Sequence, residues 1–148
     1  MANLRKDLIK AIHQEIESSP DDEDSIDLFE ERINELGDEN GWSNLVTESI
    51  NILLDTNLKK CWHLAASVVA WSIEDNHKLP CEWSYLVAVL YLCLEIDPNL
   101  GSDENADAEN LVWSISQKIK GVDYLSDWDP LEDREVLEHM EKLKKRNY

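Results

Sequence analysis

Tyr85-Leu86-Val87-Ala88-Val89-Leu90-Tyr91-Leu92-Cys93-Leu94 decides the fold. Its apolar run reads at first as a buried strand. Length argues otherwise. Sixteen residues, 81–96, separate the signal at Pro80 from the stop at Asp97-Pro98, long for a strand and ordinary for a helix. Pro80 suits the first turn of that helix, which runs to about Ile96. A helix apolar on every side must be central. The preceding stretch, residues 58–73, is also apolar on most sides apart from Lys59 and Lys60. The two form the expected spine of an all-α domain.

Outward from the spine the period is helical throughout. Leu4, Leu8, Ile12 and Ile16 make one stripe, and Ile26, Phe29, Ile33 and Leu36 a second that Gly37 ends. Trp42, Leu45, Val46, Ile50, Leu53 and Leu54 make a third. Ala108, Leu111, Val112, Ile115 and Ile119 make another, closed by Gly121. Asp129-Pro130-Leu131-Glu132 combines an N-cap aspartate, a proline at N1 and a glutamate at N3. It opens a last helix with Val136, Leu137, Met140 and Leu143 inward. Lys142, Lys144, Lys145 and Arg146 lie where the helix dipole favours positive charge. The expectation is six or seven helices in antiparallel pairs, in one domain over 1–148.

Four of the six tryptophans precede serine: Trp42, Trp71, Trp83 and Trp113. Trp42-Ser43-Asn44-Leu45-Val46 overlays Trp83-Ser84-Tyr85-Leu86-Val87, and Trp71-Ser72-Ile73 overlays Trp113-Ser114-Ile115. Both offsets are close to the roughly 40–47 residues of a HEAT- or armadillo-type two-helix unit. Coincidence among common residue types is the alternative. Trp71 and Trp113 read as core anchors, Trp42 and Trp83 as half-exposed helix openers, and Trp128 as an aromatic in an acidic loop.

The 148 residues carry 32 acids against 14 bases, a net charge of −18. Residues 21–40 hold ten acids and one base, and residues 81–110 seven acids and no base. The rest of the chain is nearly neutral. Such a charge opposes direct binding to nucleic acid or to an anionic membrane. It also strains the compact state by self-repulsion, a cost that a basic partner offsets. No apolar run approaches a membrane span, and the N-terminal stretch lacks the apolar block of a signal peptide. Three cysteines without such a signal fit a reducing cytoplasm.

Chemical motifs are lacking. Gly37, Gly41, Gly101 and Gly121 stand singly, and none precedes a Lys-Ser or Lys-Thr pair. Cys61-Trp62-His63 and His77-x-x-x-Cys81 come nearest to metal spacing but lack paired knuckles. Asp97-Pro98-Asn99-Leu100-Gly101-Ser102-Asp103-Glu104 fails the EF-hand order. Neither cysteine, beside His63, His77 or His139, sits in a sequence that would activate a thiol. The sequence therefore predicts no enzyme, no cofactor and no metal.

In character rather than motif, the whole chain resembles the immunity proteins of bacterial toxin–immunity systems, including contact-dependent growth inhibition. The block over residues 42–96, with its Trp-Ser-x-Leu-Val openings and apolar helix pair, carries the resemblance most closely. It implies a cytoplasmic monomer or weak dimer that binds one cognate basic toxin, a nuclease domain, one-to-one and blocks its active site or substrate groove. The expected contacts are Asp21, Asp22, Glu23, Asp24, Asp38, Glu39, Asp97, Asp103, Glu104 and Asp107, with Tyr124 and Trp128 as anchors. The alternative is an acidic chaperone or adaptor holding a basic secreted protein.

Overall fold

A computed structural model describes residues 3–17, 25–97, 108–121 and 128–147. These residues form seven α-helices and no strand. They are α1 (Leu4–Glu17), α2 (Ser25–Asn40), α3 (Trp42–Leu53), α4 (Trp62–Glu74), α5 (Trp83–Ile96), α6 (Ala108–Lys120) and α7 (Arg134–Asn147). Short 3-10 helices precede α4 (Thr56–Cys61) and α7 (Pro130–Glu132).

The expected spine is central, and α3 links its two members by packing on both α4 and α5. In α5 every residue from Leu86 to Cys93 is buried, which the all-round apolar run requires. On its other sides α5 meets α6 and α7, while α1 and α2 cover α3. The core runs unbroken from Leu8 and Ile12 of α1 to Val136, Met140 and Leu143 of α7. Leu137, expected inward, is exposed, because it lies one residue off the buried face.

Three boundaries differ from expectation. Helix α2 does not end at Gly37 but runs through it to Asn40. Gly37 is buried, and a Cβ there would overlap the Trp42 ring, so this glycine admits an indole rather than ending a helix. The break comes at Gly41, whose φ of 91° is a conformation that L side chains rarely adopt. Pro80 lies before α5, not within its first turn, since Glu82 is the N-cap. Asp129 caps only the 3-10 turn, accepting from Leu131 N at 2.9 Å. Asp133 is the aspartate that opens α7, accepting from Glu135 N at 3.0 Å. Gly121 closes α6 as expected, with φ 78° and its N–H donating to the Gln117 carbonyl at 2.8 Å.

Helices α3 and α5 both begin at their tryptophan and bury the residues three and four places on, Leu45 and Val46 in one, Leu86 and Val87 in the other. The second offset does not run in register. Trp71 stands near the end of α4, whereas Trp113 stands seven residues before the end of α6. The likeness is therefore confined to the first helix of each pair.

Candidate functional site

Of the residues that the sequence marks for contact, Asp21, Asp22, Glu23, Asp24, Asp103, Glu104, Asp107 and Tyr124 lie outside the described residues. Asp38 and Glu39 are exposed in the last turn of α2. They continue an acidic face that carries Glu30, Glu31 and Glu35, also exposed. Its one base, Arg32, binds Glu35 at 3.0 Å. The face exists because Phe29, Ile33 and Leu36 turn inward and leave the acids on the opposite side. Leu28 stands on the outer side, 62% exposed. Asp97 is the half-buried C-cap of α5.

Trp128 is engaged within the chain. Its indole N–H donates to Asp133 Oδ2 at 2.9 Å, and its ring meets Trp83 edge-on, 5.5 Å between centroids. Lys120 Nζ lies 4.0 Å from the centroid of the Trp83 ring, a cation–π contact. Asp133 thus caps α7 with one oxygen and fixes Trp128 with the other. The cluster joins the ends of α5, α6 and α7.

Trp113 corrects the sequence reading. Expected in the core, it is 39% exposed. The tryptophan that fills the core is Trp62, fully buried, its indole N–H donating to the Ile52 carbonyl at 3.0 Å. Trp71 is half-buried against Phe29. The position of Trp113 was legible in its own helix: α6 buries Val112, Ile115 and Ser116, and Trp113 sits one residue, about 100° of helical turn, off that face. The exposed ring borders a groove of about 180 Å³ lined by Tyr91, Leu94 and Glu95 of α5, Trp113 of α6 and Leu131 of the 3-10 turn. Leu131 is 47% exposed.

No chemistry of the nucleophilic kind gathers here. Burial pushes the Cys93 thiol up to about 12, and it donates to the Leu53 carbonyl at 3.1 Å. Burial also raises Cys61, and burial followed by the charge of Glu82 raises Cys81. Raised thiols are poor nucleophiles at neutral pH. His77 stacks on Trp42, 4.3 Å between centroids, and His139 faces Tyr85 and Glu82. Among the described residues no three His, Cys, Asp or Glu side chains are placed to hold a metal ion. No helix among them is long and apolar enough to cross a membrane. Comparison with family models, curated proteins and solved structures finds no match.

Proposed function

We propose that the chain is an immunity protein that binds and neutralises a cognate basic toxin domain, of nuclease type, by covering its active site or substrate groove. The observation that carries this reading is the outer face of α2. There Glu31, Glu35 and Asp38 lie together opposite the buried stripe, with Glu30 at one edge and Glu39 at the other, and Arg32 is the one base. Carboxylates on the outer side of a helix offer a basic groove negative charge in place of a phosphate backbone. Opposite charge also steers encounter and raises the association rate, which suits an inhibitor that must act before damage is done. The test is protection. The reading frame adjoining this chain's gene, expressed alone in a bacterium, should arrest growth, and coexpression of this chain should restore it. A harmless neighbour, or arrest that persists on coexpression, overturns the reading.

One observation favours the second reading, an acidic chaperone or adaptor for a basic secreted protein. The groove beside Trp113 and Leu131 leaves an apolar lining exposed, where a side chain of a client could seat. The two readings separate on the state of the partner. An inhibitor forms a tight one-to-one complex with a folded domain, whereas a chaperone releases its client on folding.

A further inference from the structure

We infer that the groove between α5, α6 and the 3-10 turn is the apolar anchor of the interface, and that it takes one large apolar side chain from a basic segment of a protein partner. This rests on the proposed function and adds to it the face that gives the complex its lifetime.

Size comes first. At about 180 Å³ the groove falls below the roughly 300–1,000 Å³ of sites for small molecules. It suits a single side chain. The lining comes next. Tyr91, Leu94, Trp113 and Leu131 are apolar or aromatic, and a tryptophan beside a leucine at the mouth is the composition of an interface hot spot. Trp113 has no place in the buried stripe of its own helix, so packing of α6 does not require an indole there.

Charge decides what the occupant looks like. Glu95 stands in the wall, bound by Lys144 at 2.9 Å, and Asp129 and Glu132, both exposed, stand two residues before and one after Leu131. The groove also lies against the last turns of α5, the negative end of its helix dipole. The two bases of α6 are engaged: Lys118 binds Glu74, and Lys120 sits over Trp83. An apolar pocket with an acidic rim fits an apolar residue flanked by lysine or arginine. An acidic segment would be repelled. A helical segment presents that arrangement naturally, with the anchor on one face and bases beside it.

The probe is a synthetic amphipathic helix of leucine and lysine only, with a leucine and glutamate counterpart as control. The reporters are the backbone amide signals and the six indole N–H signals of the 15N-labelled chain. The expected result is a saturable shift of the Trp113 indole and the Leu131 amide with the lysine peptide and none with the glutamate peptide. Trp113→Ala and Leu131→Asp should each weaken binding at least about tenfold, the loss of a hot-spot side chain. Leu131 is exposed, so Leu131→Asp tests the groove even if Trp113→Ala perturbs folding. Shifts confined to α2, or binding untouched by both variants, overturn the groove while leaving a basic partner in place. Absence of binding by the lysine peptide also overturns it. Protection on coexpression judges the inhibitor reading separately.

Discussion

The indole N–H of Trp62 donates to the carbonyl of Ile52, 3.0 Å away, and the next carbonyl along, that of Leu53, receives the Cys93 thiol at 3.1 Å. Both acceptors lie in the last turn of α3, where a helix leaves its carbonyls without intrahelical donors. Their donors come from α4 and α5. The buried end of one helix is thus capped by the two helices that it joins, and this fixes the spacing of the central layer.

Trp62→Phe removes one of these donors and part of a fully buried ring, leaving the Ile52 carbonyl with only the Asp55 N–H at 3.1 Å. A loss of about 0.5–1.5 kcal/mol is expected from the hydrogen bond removed, since the acceptor keeps one donor. Trp62→Ala should cost about 3–5 kcal/mol. Trp113→Ala, at the surface, should cost clearly less than either. Urea denaturation followed by circular dichroism ranks the three, and a Trp113 variant as unstable as Trp62→Ala would contradict the burial described.

Cys93 makes stability depend on alkaline pH. Its thiol titrates near 9.0 when unperturbed, and burial raises it to about 12 in the folded chain. Between those values the unfolded chain has released the proton and the folded chain still holds it. Stability is therefore full below about 9 and falls as pH rises, by at most about 1.4 kcal/mol per pH unit. Cys93→Ala removes this slope. The stability gap between wild type and variant should narrow from pH 8 to pH 10, and a constant gap would show that the thiol is not held protonated.

Gly37→Ala tests the contact with Trp42. Alanine favours a helix over glycine by about 1 kcal/mol. Here its Cβ would overlap the indole, and overpacking costs about 1–3 kcal/mol. The variant should be destabilised on balance. In a Trp42→Ala background the same change should become neutral or stabilising, because the obstacle is gone. Equal effects in both backgrounds would place the cost elsewhere.

The helices were legible because their apolar spacing is regular, and the length of the α5 run separated helix from strand. Gly37 misled because sequence alone does not distinguish a glycine that ends a helix from one that admits a ring. Asp129 misled for a related reason: Asp129 and Asp133 stand four residues apart, both can cap, and only the 3-10 turn between them assigns the roles. Trp113 reads as core from its apolar neighbours, but its angular position, one residue off the stripe of Val112 and Ile115, puts it at the surface. Trp62 begins its helix at a register facing α3, which appears only once α3 is in place. The acidic face of α2 was visible as composition, and its one-sidedness follows from the inward stripe of Phe29, Ile33 and Leu36.

If the α2 carboxylates guide encounter with a basic partner, association should depend on salt and dissociation much less. Exposed charges act over a screening length of about 10 Å at 0.1 M salt, so the steering term fades as salt rises. Close contacts at the centre of an interface set the dissociation rate and are screened less. Replacing Glu30, Glu31 and Asp38 together by lysine should slow association by about tenfold or more, within the range that steering supplies. The same reversal at Asp103, Glu104 and Asp107 tests the second acidic segment. Glu138 and Glu141 are the control, since Arg134 and Lys145 already compensate them at 3.3 and 3.4 Å. Leu131→Asp should do the opposite of the triple change, raising dissociation and sparing association. Stopped-flow binding to the product of the adjoining reading frame, the proposed partner, at two salt concentrations separates these effects. An association rate indifferent to salt and to both triple reversals would mean that the carboxylates only solvate the surface, and that the partner is chosen by the apolar groove alone.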